Sequence, residues 1–306
     1  MYIRRLVFIG LAVVALGAVL AAAAGEMLTR PARVQASVVP PGLRAHAVEI
    51  PVPGGHVAGW LAAGETGKGA VLLLHGLRSS RLQMVARAKF LQAAGYTALL
   101  IDLPAHGEST GDRMTFGVTE SAAIRATLDY LQQSAPGERV AVVGVSLGAA
   151  SLVLGGAAPV PSAVVVESMY PTLREAVANR LEMRLGPHGR LLAGPLLWQL
   201  PLRSGLAESE LRPIERIASL AVPIAVASGT QDQHTTWPET LRLFEAAASP
   251  KELWSFDGAA HVDLHRYAPT LYEQRLLTFL ARHIRNEATP VFNTRPAAVG
   301  HDSPDR

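Results

Sequence analysis

Three unbroken apolar runs set the frame for this chain: Val71-Leu72-Leu73-Leu74, Ala141-Val142-Val143-Gly144-Val145 and Val164-Val165-Val166. A strand that is apolar at every position has no face for water, so both its sides must be covered. The intervals between the runs supply the covers. Ser80 to Ala94 has helical spacing, with Leu82, Val85, Phe90 and Leu91 apolar and Gly95 as its stop. Residues 97–101 read as a strand, 119–133 as a helix, 139–145 as a strand and 147–154 as a helix. Further strands are expected at 162–166, 222–228 and 252–256. A hairpin is expected from His46–Ile50 and His56–Ala62, split by Pro51, Pro53, Gly54 and Gly55. Strands alternating with helices predict an α/β fold, a mostly parallel sheet with helices on both faces.

One interval breaks the rhythm. About fifty residues separate the strand ending at Glu167 from the one starting at Val222. Residues 173–185 and 208–217 have helical spacing, and Leu191 to Leu202 is apolar but broken by Pro195 and Pro201. That piece is too short to cross a bilayer. The interval, about residues 169–220, is expected to be a helical lid. Its apolar piece, with Trp198, has three open roles: contact with substrate, a dip toward a membrane, or packing on the core. Residues 44–285 then form a single domain with the lid inserted. Residues 286–306 are polar and rich in Pro, and are expected to be a disordered tail.

The amino end is different. Arg4-Arg5 precede nineteen uncharged, mostly apolar residues, Leu6 to Ala24, and much of the positive mean hydropathy of +0.22 sits there. A bilayer-crossing helix needs about 20 apolar residues, whereas a signal peptide core has about 7–15. Ala21 to Ala24 offer small-residue cleavage sites. Length favours a retained anchor over a cleaved signal in residues 1–25, followed by a Pro-containing linker, 26–43. The positive-inside rule keeps Arg4 and Arg5 in the cytoplasm and places residues from about 30 onward outside it. The domain is then exported: anchored at the inner membrane, or secreted or periplasmic if the signal is cut.

Composition narrows the chemistry. With no Cys among 306 residues, a thiolate nucleophile, a Cys-ligated metal and a disulfide scaffold are all excluded. The net charge of +3 comes from 28 bases scattered among 25 acids, not the basic stripe of a nucleic-acid binder. HExxH is absent and the ten His form no ligand cluster along the chain. No metal and no cofactor are expected.

Gly144-Val145-Ser146-Leu147-Gly148 is G-x-S-x-G, with a strand running into it and an Ala/Leu-rich helix leaving it. A nucleophile on a sharp strand-to-helix turn needs small neighbours, and Gly144, Gly148, Ala149 and Ala150 provide them. A serine nucleophile needs a base, and the base an orienting carboxylate. In chain order Ser, acid, His, the candidates are Asp232, after the next-to-last strand, and His261, after the last. Rivals are Asp257, which fits a turn before Gly258, Asp263, which fits a helix cap, and His265, which fits a surface or capping residue. His234 is a candidate for lining the pocket. An oxyanion hole needs two backbone N–H donors. Leu147 follows the nucleophile, and Leu77 follows His75-Gly76 after the early strand. Gly76 is expected to permit close backbone approach, and His75 to pin the loop.

These blocks resemble the α/β-hydrolase superfamily in its serine-aminopeptidase-like branch. The matching pieces are Leu74-His75-Gly76, then Ile101-Asp102-Leu103-Pro104-Ala105-His106-Gly107-Glu108-Ser109, then the Ser146 elbow, the Asp232 loop and the His261 loop. The second block is similar to D-x-x-G-x-G-x-S, with Ala105 and His106 where Gly and His are usual. The resemblance spans about residues 45–285 and implies a serine hydrolase of esters, thioesters or amides acting on a small-molecule acyl or peptide substrate. An acyltransferase uses the same residues. A non-catalytic binding module is expected to lack one of them, and Ser146 argues against a dehalogenase with an Asp nucleophile. The residues do not indicate an oligomeric state.

Overall fold

The computed structural model describes residues 2–36, 38–156 and 159–285. The tail expected at 286–306 lies outside the described residues. The strands are β1 (His46–Val52), β2 (Gly55–Ala62), β3 (Ala70–Leu74), β4 (Thr97–Ile101), β5 (Val140–Val145), β6 (Ala163–Glu167), β7 (Ile224–Gly229) and β8 (Lys251–Phe256). They form one eight-stranded sheet in the order β1-β2-β4-β3-β5-β6-β7-β8. The β1–β2 and β2–β4 pairs are antiparallel, and all others are parallel.

The helices are α1 (Tyr2–Thr29), α2 (Val85–Ala93), α3 (Val118–Ser134), α4 (Leu147–Gly155), α5 (Leu173–Leu185), α6 (Ala193–Leu197), α7 (Leu200–Ser204), α8 (Trp237–Ala246), α9 (Leu264–Tyr267) and α10 (Pro269–Ile284). Side chains alternate across each strand, and the apolar runs serve two cores. Leu72, Leu74, Val142, Val164 and Val166 pack with Ile124 and Leu128 of α3 and Leu152 of α4. Val71, Leu73, Val143 and Val165 pack with Leu91 of α2 and Leu276 and Phe279 of α10 on the other face. The unbroken apolar runs are explained by this double cover.

The register lines up the carboxyl ends of the strands. Leu74 pairs with Ile101 and with Gly144, Val145 with Glu167, Glu167 with Ala227, and Gly229 with Phe256. The loops carrying Leu77, Ser146, Asp232 and His261 therefore leave along one edge, where open α/β sheets hold their sites.

The interval after β6 contains α5 where helical spacing is expected at 173–185, and the apolar piece 191–202 holds the short helices α6 and α7. The helix expected at 208–217 does not form. Short 3-10 turns at Glu208–Glu210, Pro213–Glu215 and Ile217–Leu220 stand there instead, because Pro213 has no N–H to continue a helix. Pro223 likewise delays β7 to Ile224. The segment expected as a linker starts as helix through Thr29. Beyond it, the Ala32 N–H donates to the Ala105 carbonyl at 2.8 Å, and the Gly107 N–H to the Ala32 carbonyl at 2.9 Å.

Candidate active site

Ser146 sits at the junction of β5 and α4 with φ 47° and ψ −105°. This left-handed conformation is costly for a residue with a Cβ. It is held by the Ser146 N–H, which donates to the Glu167 carbonyl at 2.7 Å, and by close packing around the two glycines. A Cβ on Gly144 would lie 2.7 Å from the Ala149 nitrogen, and one on Gly148 2.7 Å from the His75 carbonyl oxygen. The turn tolerates nothing larger at either place. Gly76 differs: a Cβ there would meet only ordinary contacts, 3.7 Å to Val145 and 3.8 Å to Ser146 Cβ. Close backbone approach is therefore not its role.

His261 Nδ1 lies 2.7 Å from Asp232 Oδ2. The other oxygen of Asp232 accepts the His234 and Thr235 N–H groups at 2.8 and 2.9 Å, so the carboxylate is fixed at both ends. Ser146, His261, His234, Leu77 and Gly76 line one cleft. The His234 ring stacks on His261, centroids 4.6 Å apart and 20° between planes. Burial, with the neighbouring His261 and Arg180, lowers the His234 pKa to about 4. His234 thus presents a neutral ring to His261 near pH 7.

The loop after β3 is built to leave one donor free. The Gly76 N–H donates to Gln83 Oε1 at 2.8 Å, and the Arg78 N–H to His106 Nε2 at 3.1 Å. Leu77 N–H, between them, has no acceptor among the described residues. Leu147 N–H is the first of α4, and the first N–H groups of a helix have no intrahelical acceptor. His75 is fully buried. Its Nδ1–H donates to the Gly76 carbonyl at 2.7 Å, and its Nε2 accepts the Leu103 N–H at 3.0 Å. Those partners are satisfied by the neutral ring alone. Burial, with a smaller contribution from His106, lowers its pKa to about 3.

In the unfolded chain His75 takes a proton at its ordinary value of about 6.5, while the folded protein resists it down to about 3. Its contribution is fully present above pH 6.5 and is lost as pH falls from 6.5 toward 3. The slope from this group is on the order of 1.4 kcal/mol per pH unit. Denaturant unfolding at pH 7, 6 and 5 is expected to show that slope in the native protein and a flatter one in His75→Asn. Equal slopes in the two proteins would show that His75 carries no such linkage.

Two buried arginines brace the loops, and neither stands out in the sequence. Arg81 Nη1 is 2.8 Å from Asp102 Oδ2, and the Arg81 N–H donates to Asp102 Oδ1 at 2.6 Å. Its other nitrogen reaches Glu108 and the Ala36 carbonyl. Arg87 binds Glu167 at 2.7 Å, Asp263 at 2.8 Å and the Tyr272 hydroxyl at 2.9 Å, and Tyr272 also donates to Glu167. Glu167 is the residue whose carbonyl holds the Ser146 N–H, and Asp263 is two residues beyond His261. Replacing Arg87 by Met leaves the buried Glu167 carboxyl without its cation. Denaturant unfolding is expected to register a loss of about 3–5 kcal/mol. A loss below about 1 kcal/mol would exclude this bracing role.

The rivals of Asp232 and His261 are engaged elsewhere. Asp257 accepts the Thr230 hydroxyl at 3.1 Å. Asp263 caps α9 through the Arg266 N–H at 3.0 Å besides holding Arg87. His265, expected at the surface, is instead buried in α9 with Nε2 2.8 Å from Glu273 Oε1. It tucks beneath Phe90 and Tyr272, with ring centroids 5.0 and 5.2 Å away.

A sheet of this order, with a serine on a strained turn between a central strand and a buried helix, is the architecture of a hydrolase of the α/β class. The sequence profile of the alpha/beta hydrolase family matches residues 71–277, and the chain belongs to that family. An uncharacterized Mycobacterium tuberculosis protein, Rv2307c, is 30% identical over 220 residues, covering 71% of this chain and 70% of that protein. The Pyrococcus furiosus esterase Pf2001 superposes with a TM-score of 0.70 at 24% identity, over 84% of this chain and 98% of that one. Est1E from Butyrivibrio proteoclasticus, solved with ferulic acid bound, gives 0.60 at 16% identity, over 78% and 99%.

Proposed function

We propose that this hydrolase is a serine esterase working through an acyl-serine intermediate. The observation that carries the reading is His261, in the cleft that also contains Ser146, with its Nδ1 2.7 Å from Asp232 Oδ2 behind it. Ser146 Oγ attacks the ester carbonyl while His261 Nε2 takes its proton. Asp232 keeps the Nδ1–H tautomer and stabilises the imidazolium. The Leu77 and Leu147 N–H groups stabilise the oxyanion. His261 returns the proton to the leaving alcohol, and water, deprotonated by His261, cleaves the acyl-enzyme. Ester rather than peptide substrates are favoured by the mainly apolar pocket beside Ser146, lined by Leu173, Val177, Leu196, Leu197 and Leu200. A fluorophosphonate probe is expected to label the native protein and not Ser146→Ala. Equal labelling of both overturns the reading, and a non-catalytic module would take up no label at all.

The catalytic domain of this reading is 44–285, with a lid at about 169–220, behind an N-terminal anchor and short linker. Helix α1 spans 28 residues with a mean hydropathy of 2.7 in its most apolar window, enough by length and composition to cross a membrane. Retention rather than cleavage is supported by its far end: Gln199 Nε2 donates to the Ala21 carbonyl at 2.7 Å, and Arg203 pairs with Glu26 at 2.7 Å. The full chain is expected to sediment with membranes and resist high-salt extraction. Recovery of a soluble form starting near Gly25 would overturn the anchor.

A further inference from the structure

The sequence treats the apolar helix α1 as separate from the catalytic domain, but its last turns are a wall of the site. Leu28 and Thr29 line the apolar pocket with Ser146, and Leu196, Leu197 and Leu200 of the lid close it opposite them. The Arg78 guanidinium donates to the Met27 carbonyl at 2.9 Å, tying the oxyanion loop to the helix end. The Tyr170 hydroxyl, buried and without a hydrogen-bond partner among the described residues, faces the same pocket.

A second opening meets this pocket at Leu28, Val177 and Leu196. It is lined by Arg78, Arg180 and Arg184, with no carboxylate among its walls. The cleft over Ser146 also contains Arg78 and Arg180, again with no carboxylate. Arg180 donates to the Ala176 carbonyl at 2.8 Å. Among the described residues none of these three arginines makes an ion pair. Arg174, Arg190, Arg203, Arg212, Arg242 and Arg282 hold carboxylates, whereas these three line connected openings that have none. Unpaired guanidinium groups converging beside a nucleophile are a recognition surface for an anion.

On the source of the ligand, the lid continues α1 outward. Trp198 and Leu202 are 76% and 78% exposed. They share a groove with Val14, Gly17, Ala18, Ala21 and Ala22 of α1, so they lie level with the apolar stretch of the helix. An exposed apolar surface continuous with a bilayer-length helix is suited to lie in lipid.

We infer that the substrate is a single-chain acyl ester with an anionic head group, drawn from a membrane. The acyl chain lies in the pocket that α1 and the lid complete, and the anion lies on Arg180, Arg78 and Arg184. This rests on the esterase reading above. The acyl carbon–oxygen bond of the ester breaks, and water supplies hydroxyl to the fatty acid and a proton to the head-group alcohol. Phosphate and carboxylate share the required chemistry.

The test uses the full chain in phosphatidylcholine vesicles, with three palmitoyl esters: lysophosphatidylglycerol, palmitoyl lactate and monopalmitoylglycerol. The native protein is expected to favour at least one anionic ester over the neutral one in kcat/KM. Whichever anion leads identifies the source. Arg180→Met is expected to lower that preference by about tenfold, and Arg180→Lys to restore part of it. In Leu28→Trp, the palmitoyl-to-acetyl ratio on p-nitrophenyl esters is expected to fall by about tenfold as the pocket fills at the α1 wall. Melting temperatures and fluorophosphonate labelling separate these effects from misfolding. If turnover depends on Ser146 but the native enzyme prefers the neutral ester, or both ratios are unchanged in the variants, the inference fails and the esterase reading stands. If turnover persists in Ser146→Ala, the esterase reading itself fails.

Discussion

Ser146→Ala is expected to lower kcat on an aryl ester by about 10⁶-fold, to the residual rate left by substrate binding and oxyanion stabilisation. The replacement removes the attacking oxygen and little else. Alanine has a Cβ like serine, so the cost of φ 47° at this position is unchanged. The 2.7 Å backbone bond to the Glu167 carbonyl is also unchanged. Thermal unfolding should therefore coincide with that of the native protein while turnover disappears. Stopped assays with purified protein, carried to high enzyme concentration, measure both. Retained turnover with an unchanged melting curve would show that the elbow serine is idle.

Asp232→Asn is expected to cost about 10⁴ in kcat, through the proton rather than the fold. An Asn oxygen can still accept the His234 and Thr235 N–H groups that Asp232 Oδ1 holds at 2.8 and 2.9 Å, so the loop keeps its shape. Its amide nitrogen then faces His261 Nδ1. An amide N–H there needs an acceptor, which selects the His261 tautomer with its proton on Nε2. That tautomer points a proton, not a lone pair, toward the serine and cannot accept one from it. The expected signature is a large fall in kcat with little change in KM for a soluble ester, and unaltered stability. Near-native turnover would remove Asp232 from the mechanism and return the question to Asp257 and Asp263, although their bonds to Thr230 and Arg87 already occupy them.

The parallel sheet, the elbow and the Asp232 and His261 loops were legible in the chain because each depends on local pattern. Apolar runs such as Val71–Leu74 announce buried strands whatever their neighbours. Gly144 and Gly148 mark a place where a Cβ would strike backbone. Spacing alone suggests helix at 208–217, but Pro213 divides it into short turns. His265 reads as a surface or capping residue because its burial depends on Phe90, which is distant along the chain, and on Tyr272 of the next helix.

Arg81 and Arg87 illustrate what pattern reading misses. Each is one arginine within an ordinary helical stretch, and its role exists only when Asp102, or Glu167 and Asp263, arrive from other strands and loops. The same holds for the site's walls. Adjacent residues carry the sheet, the strained serine turn and the chain order of Ser146, Asp232 and His261, because backbone sterics and strand burial are local properties. Packing across the chain brings His261 to Asp232, leaves the Leu77 N–H without an acceptor and the arginines beside the pocket without ion pairs among the described residues, and sets the apolar helix at the amino end against the pocket at Ser146. Those facts are distances between residues far apart in the chain, and they are fixed by strand register and by packing of the helices after β6.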